Sequence, residues 1–146
     1  PVPRRWRLTV PERINRNGKV ITPLDCEAVH SAVTKLIEEG VKSIAIGFLH
    51  SYRSKTHEQI AKKIVNEIDP KIFVCISSEV SSRFREYERF ITTAWNARVA
   101  PDSGIYLERI VKKIKTMWPN ISLTMMTSNG GLEEIQTNKK IILMAS

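Results

Sequence analysis

Two short stretches of the sequence concentrate side chains that could bind or react with a ligand. The first, residues 49–58, brings together two imidazoles, several hydroxyls, a guanidinium and a carboxylate. Histidine changes its charge near neutral pH and is a common metal ligand, so His50 and His57 are weak candidates for acid–base chemistry or for binding a divalent metal. Two histidines at this spacing do not specify which metal that would be.

The same stretch also has a purely structural interpretation. Ser54 or Thr56 can cap a helix that starts here, because a hydroxyl oxygen accepts hydrogen bonds from the free amides of a first turn. Arg53 can pair with a carboxylate, and His57 can face solvent. The residues alone leave both interpretations open.

The second stretch is Thr127–Gly131. Adjacent Gly130 and Gly131 expose main-chain amides, which can bind an anion, and Ser128 and Asn129 add a hydroxyl and a side-chain amide. Asn-Gly is also the strongest short signal for a tight hairpin turn, so a simple turn explains the same residues. No GxxxxGK(S/T) motif follows, which excludes a P-loop of that type.

Charged residues cluster at the start of a third helical pattern. Arg85 and Arg89 are four residues apart, and Glu86 could pair with Arg89 three residues later. Asn96 lies far enough along the apolar pattern to be buried, and a buried amide needs hydrogen-bond partners. Such a run is equally typical of a solvated helix face or of a network beneath a domain interface. No HExxH, GxSxG or Ser-His-Asp order is present, so no self-contained hydrolase is visible.

Helix and strand patterns alternate through the first half of the chain and predict how these residues are positioned. Asp25 is a good N-cap for a helix that ends at Gly40, and the next apolar run, Val41–Leu49, is typical of a strand covered on both faces. A second helix, Thr56–Ile68, precedes a second buried strand, Lys71–Ile76. This order predicts right-handed crossovers and a parallel sheet, in which ligands bind beyond the carboxyl ends of the strands.

A hairpin or β-arm is predicted at the start of the chain. Residues 5–10 and 19–22 are rich in strand formers, and Asn15–Gly18 between them has the residues of a tight turn. The patterns therefore divide the chain into a β-arm or hairpin over residues 1–24 and an α/β domain over residues 25–146.

Helical and apolar patterns continue after the second buried strand. Ser81 or Ser82 can cap a third helix, whose far end the pattern does not define. A long amphipathic helix restarts at Pro101 and runs through Met117, and residues 121–127 have the pattern of a third central strand. The predicted fold class is α/β, with a layered parallel or mixed sheet and flanking helices.

Composition and charge exclude several classes of protein. The chain has 146 residues, 42% hydrophobic and 26% charged, which is typical of a globular domain, and it contains no apolar run long enough to span a bilayer. Cys26 and Cys75 form no CxxC motif, so a zinc knuckle is excluded and a reducing, cytoplasmic environment is expected. The net charge of +8 comes from lysines and arginines spread along the chain. Nucleic-acid binding is therefore not expected as the main role, and a stand-alone basic module that binds nucleic acid or a protein is the alternative of another class.

A series of short phrases runs through nearly the whole chain in a fixed order. They are Val10-Pro-Glu-Arg-Ile14, Gly18-Lys-Val20, Pro23-Leu-Asp25, Gly40-Val41, Ile44-Ala-Ile46, Leu49-His-Ser-Tyr-Arg53, His57-Glu58, Ser78-Glu-Val80, Arg85-Glu-Tyr-Glu-Arg89, Thr92-Thr93, Asn96-Ala97 and Ser128-Asn-Gly-Gly131. Each phrase alone is weak, whereas the set is specific. In this series the chain resembles the hydantoinase A/5-oxoprolinase family and the related β subunits of acetone and acetophenone carboxylases.

This resemblance implies a fold, a chemistry and cofactors for the full protein. The fold would be an actin-like ATPase, in which two RNase H-like lobes close over ATP. ATP would phosphorylate the carbonyl oxygen of a cyclic amide such as a hydantoin or 5-oxoproline, so that water can open the ring, and Mg²⁺ would neutralise charge on the transferred group. A ketone carboxylase subunit of the same family is the alternative. A further divalent metal and a second enzyme subunit of the hydantoinase B type are also implied.

The resemblance also implies which residues lie near the cleft between the lobes. Residues 50–53 and 128–131 would both face it, the second group on the ligand or nucleotide side, and Glu86 and Arg89 would maintain its structure. The absence of an initiator Met and the apolar end at residues 141–146 favour an excised piece, which we expect to be inactive alone, with its phosphate loops and catalytic residues elsewhere. The cleft candidates are His50, Ser51, Tyr52, Arg53, Glu86, Arg89, Asn96, Ser128, Asn129, Gly130 and Gly131.

Overall fold

The computed structural model describes residues 2–81, 84–126 and 132–134. In chain order the elements are a 3-10 helix (Arg4–Trp6), β1 (Arg13–Ile14), β2 (Val20–Thr22), α1 (Cys26–Glu38), β3 (Ser43–Ile46), α2 (Thr56–Ile68), β4 (Phe73–Ile76), α3 (Ser77–Val80), α4 (Glu86–Met117), β5 (Thr124–Met126) and β6 (Leu132–Glu134).

The strands β3 and β4 run parallel at the centre of the fold, with Ile44 opposite Val74. Successive side chains of a strand point to opposite faces. Val74 and Ile76 accordingly pack with α1 and α2, whereas Cys75 packs with Ala97 of α4. Helices therefore cover both faces of the pair, and the predicted parallel crossover is confirmed.

Helix α1 begins and ends where its sequence signals predict. The Asp25 carboxylate accepts a hydrogen bond from the Ala28 amide at 2.9 Å, which satisfies one of the free donors of the first turn. Gly40, just beyond the helix, has a φ of +80°, a conformation that glycine adopts without steric cost. The buried side chains of α1 are Val29, Val33 and Leu36.

The side-chain caps predicted for the two later helices do not form. The hydroxyls of Ser54 and Thr56 bond each other at 3.2 Å, and neither caps the α2 helix. The residue at the N-cap of α4 is Arg85, so the prediction of Ser81 as its cap is wrong. Ser82 lies outside the described residues.

The hairpin at the start of the chain is present, but its first strand is not residues 5–10. The strand that pairs with β2 is β1, with Arg13 opposite Thr22. The turn sets this register, because the Asn15 side chain accepts from the amides of Asn17 and Lys19 and pairing starts directly beside it. The chain before Arg7 forms a 3-10 turn instead.

One helix replaces the two that the sequence predicts between residues 86 and 117. Helix α4 is continuous and contains Pro101 in its interior. Proline removes one main-chain hydrogen bond and crowds the preceding turn. Five buried residues of α4 precede Pro101, from Arg89 to Ala100, and Val111 is buried beyond it; the helix nevertheless continues through the proline, against the local preference for a break.

The strand predicted over residues 121–127 does not join the parallel pair. Strand β5 pairs antiparallel with β6, with Met126 opposite Leu132. The cause lies in α4, whose 32 residues carry the chain about 48 Å along its axis before β5 begins. The prediction of a third central strand is therefore wrong.

The segment before α1 packs against the central layer. Trp6 and Val10 lie against the core cluster, and the Trp6 indole donates to the Glu39 carboxylate at 2.5 Å. The division of the chain at residues 24 and 25 stays a prediction. Among the helices of the described ranges, none combines the length and the apolar content needed to cross a bilayer.

Replacing the N-cap Asp25 by alanine tests the start of α1. We expect Asp25→Ala to lower the free energy of unfolding by about 1 kcal/mol, because the Ala28 amide loses its acceptor. Chemical denaturation measures the change. Asp25→Asn keeps an acceptor oxygen and should lose less than half as much, so equal losses in the two variants would contradict this role for the cap.

Candidate functional site

The chain after β3 passes very close to α4. A Cβ atom on Gly47 would lie 2.6 Å from the Phe90 ring, so any other residue here would force that ring to move. The next residue, Phe48, lies beyond the end of β3 and is not paired with β4. Its N–H donates to the Glu58 carboxylate at 3.0 Å, and its carbonyl accepts from the Arg89 guanidinium at 2.9 Å.

The Glu58 carboxylate is fully buried and joins the ends of both parallel strands. Besides the Phe48 amide, it accepts from the Ser77 hydroxyl at 2.5 Å and from the Ser78 amide at 2.9 Å. The Ser77 hydroxyl is also 3.1 Å from the hydroxyl of Ser51. Since the single Ser77 hydroxyl hydrogen goes to Glu58, Ser51 is the donor in that second bond.

Residues 50–53 form a tight turn at the carboxyl end of β3. His50 has a φ of +56°, a left-handed conformation that is uncommon outside glycine. Its carbonyl accepts from the amides of Arg53 at 2.9 Å and Ser54 at 3.3 Å, which closes the turn. The imidazole Nδ1 atom is buried and has no hydrogen-bond partner among the described residues.

The ring of Tyr52 brings several predicted site residues together. The guanidinium carbons of Arg53 and Arg89 lie 5.4 Å and 5.7 Å from its centre, within the range of cation–π attraction. The rings of His50 and Phe84 meet it edge-on, at centroid distances of 5.9 Å and 5.6 Å. His50, Tyr52, Arg53 and Arg89 thus form one cluster, which we call the Tyr52 cluster.

Other predicted site residues lie apart from this cluster. Asn96 is fully buried further along α4, where its amide nitrogen is 3.5 Å from the Cys75 sulfur beneath β4. Glu86 occupies the first position of α4, and an ion pair in this region joins Arg85 to Glu88 at 3.6 Å. Residues 128–131 lie outside the described residues.

His57 has a structural partner that its sequence neighbours do not reveal. Its Nδ1 atom is 2.8 Å from the Glu12 carboxylate, and both side chains are nearly inaccessible to solvent. The structural interpretation in which His57 faces solvent is therefore wrong. Across residues 2–81, 84–126 and 132–134, no group of three or more His, Cys, Asp or Glu side chains could hold a metal ion, so no metal site is assigned to this part of the chain.

Glu58 is the important residue at this edge that the candidate residues omit. A signal for it does exist in the sequence, because Glu58, Ala61 and Val65 follow the i, i+3, i+7 spacing of a buried helix face. A carboxylate on such a face must be paired or hydrogen-bonded. Its partners, however, come from two other segments of the chain.

The pKa of the buried Cys75 thiol is raised to about 11. The main cause is burial, which disfavours the charged thiolate, and the hydrogen bond from Asn96 only partly opposes it. Cys26 is exposed, and both cysteines are free.

The family description "Hydantoinase/oxoprolinase N-terminal region" matches residues 1–69. The chain is 38% identical to caprolactamase subunit alpha of Pseudomonas jessenii over 90% of its own length and 19% of that protein. It is 35% identical to the 5-oxoprolinase of Saccharomyces cerevisiae over 78% of its length and 9% of the relative. The chain therefore spans about a fifth or less of the length of these curated relatives.

Two solved structures share the fold. The crystal structure of the ATP-dependent caprolactamase from Pseudomonas jessenii superposes with a TM-score of 0.82 at 38% identity, over 90% of this chain and 19% of the other. A nucleotide-free acetone carboxylase structure superposes with a TM-score of 0.83 at 26% identity, over 93% and 19%. The fold is thus a mixed α/β arrangement shared with these ATP-dependent enzymes. Residues 1–69 belong to the hydantoinase/oxoprolinase N-terminal region, and the resemblance drawn from the short phrases of the chain is confirmed.

The two cysteines should differ strongly in reactivity. We expect Cys26 to react promptly with a thiol reagent at pH 7.5, and Cys75 to react only after unfolding, because its raised pKa keeps the thiol protonated and burial blocks access. Counting modified thiols over time measures this. Cys26→Ser should leave one slow thiol, and two fast thiols in the native protein would contradict the assignment.

Proposed function

We propose that this chain is part of an ATP-dependent enzyme that opens a cyclic amide by hydrolysis. The observation that supports this most is the 38% identity to a caprolactamase subunit across 90% of the chain. The identity to the carboxylases is lower, at 28% for both the acetophenone carboxylase gamma subunit and the acetone carboxylase beta subunit. The 5-oxoprolinases range from 26% to 35%, on both sides of the carboxylase value, so the caprolactamase subunit is the relative that favours lactam hydrolysis.

The proposed chemistry explains why ATP is needed. An amide carbonyl is a weak electrophile, and ATP cleavage to ADP and phosphate supplies the driving force for water to open the ring. In this reaction the role of the described residues is to shape one wall of the site. The buried imidazole Nδ1 of His50 lacks a partner among them and the nearby Arg53 is cationic, so this pair suits an oxygen of an anionic or carbonyl-bearing ligand.

Several wider features belong to the same proposal. The full protein would have the actin-like, two-lobed ATPase fold, with Mg²⁺ and the phosphate-binding loops held by residues beyond those described. Residues 128–131 would face the same cleft as the Tyr52 cluster. The relatives are named as subunits, which supports assembly with a second subunit of the hydantoinase B type. Two free cysteines are compatible with the cytoplasm, which stays a prediction.

A ketone carboxylase subunit is the second candidate, because an acetone carboxylase structure superposes as well as the caprolactamase does. A basic module for nucleic acid is a less favoured third, supported only by the net charge of +8. These candidates differ in what they consume. A hydrolase needs only the amide, ATP and water, whereas a carboxylase also needs bicarbonate or carbon dioxide.

Measuring ADP release by the full-length protein distinguishes these candidates. We expect release to rise with caprolactam, 5-oxoproline or a hydantoin, and not with acetone or acetophenone plus bicarbonate. Release that depends on a ketone and bicarbonate would identify the carboxylase instead. Retention on DNA that falls steeply with salt, without any ADP release, would favour the basic module.

A separate experiment tests residues 1–146 alone. Micromolar binding of a fluorescent ATP analogue to this piece would contradict the expectation that it is inactive by itself.

Two substitutions of His50 distinguish the role of its imidazole ring from the role of its left-handed main-chain conformation. Asparagine tolerates a left-handed φ but lacks the imidazole, so we expect His50→Asn to lower kcat/KM for the lactam at least tenfold with little change in Tm. Kinetics and thermal melting of the full-length protein measure the two effects. His50→Val, which resists a positive φ, should lower Tm as well. Unchanged kinetics in His50→Asn would show that the ring takes no part in the site.

A further inference from the structure

We propose that Glu58 is a positioning residue that acts with Arg89 to fix the main chain leading into residues 50–53. The inference rests on the proposed function, in which this turn forms one wall of the site. The ring of Tyr52 meets His50, Phe84, Arg53 and Arg89, and Glu58 is not among the residues that would contact a ligand. It would act through the main chain of Phe48 and through the segment that follows β4.

The first argument comes from the two polar groups of Phe48. Strand β3 ends at Ile46, so the amide and carbonyl of Phe48 have lost their place in the strand ladder. Each is instead bound by a buried charged side chain, the amide by Glu58 and the carbonyl by Arg89. Hydrogen bonds to charged groups are shorter and stronger than neutral ones, so this main-chain position is held firmly just before the turn.

The second argument comes from the number of donors that meet one carboxylate. The Phe48 amide, the Ser77 hydroxyl and the Ser78 amide all donate to Glu58, and Ser51 donates in turn to Ser77. An ionised carboxylate has acceptor sites for all three donors. A glutamine of the same shape would turn its NH₂ group toward at least one of them.

The third argument comes from charge. The side chains of Glu58 and Arg89 are 0% and 1% exposed, and they approach the same residue, Phe48, from two different helices. Each of them holds one main-chain group of Phe48, so removing either side chain leaves that residue held from one side only. The effects of neutralising Glu58 and Arg89 should therefore be coupled rather than additive.

The experiment compares Glu58→Gln with Val65→Ala in the full-length protein. Val65 is a fully buried core residue of the same helix that contacts neither strand-end segment through a polar group, so it is a matched control for lost stability. We expect Glu58→Gln to lower kcat for the lactam at least tenfold with a smaller change in KM, and to speed hydrogen exchange in residues 48–53 and 77–81. Val65→Ala with a similar fall in Tm should keep kcat within twofold and leave exchange in both segments near that of the parent.

Ser77→Ala provides a gentler test if Glu58→Gln folds poorly. It removes one of the three donors and keeps the carboxylate, so we expect a smaller fall in kcat and faster exchange in the same two segments. If both variants match Val65→Ala in kcat and exchange, Glu58 is only structural and the inference is overturned. If the parent protein shows no lactam-dependent ADP release, the proposed function fails, and the exchange measurement alone decides the role of Glu58.

Discussion

The carboxyl edge of the parallel pair depends on one buried carboxylate. Glu58 binds the amide of Phe48 after β3 and the segment Ser77–Ser78 after β4, so two chain segments that are far apart in sequence end at a shared acceptor. A buried charge is costly unless hydrogen bonds satisfy it, and here main-chain and hydroxyl donors do so. The arrangement fixes the main chain at the end of the two-stranded sheet, directly before the turn of residues 50–53.

Much of this region could be predicted from local signals. The caps of α1, the bounds of α2 and the parallel order of the strands follow from Asp25, Gly40 and the apolar spacing, because those signals act within a few residues. The grouping of His50, Tyr52 and Arg53 follows from their place after a strand. The contact of His57 with Glu12 could not be predicted, since 45 residues separate them and no period in the sequence relates them.

The errors of prediction share a physical origin. Local preference favours a break at Pro101, but α4 continues through it, with five buried residues before the proline and Val111 buried beyond it. The continuous helix then carries the chain away from the central pair, so the apolar run after it pairs with a later segment instead. At the hairpin, the hydrogen bonds that the Asn15 side chain accepts set the strand register, and strand propensity alone does not predict that register.

The unbroken length of α4 has a mechanical consequence. Arg89 lies one turn from its start and binds the carbonyl of Phe48, while the other end of the helix lies about 42 Å further along the axis. If the helix moved as a rigid rod about the Phe48 contact, a tilt of about 5° would displace its far end by roughly 4 Å. A small movement of the main chain beside the Tyr52 cluster would then produce a much larger displacement at the carboxyl end of α4.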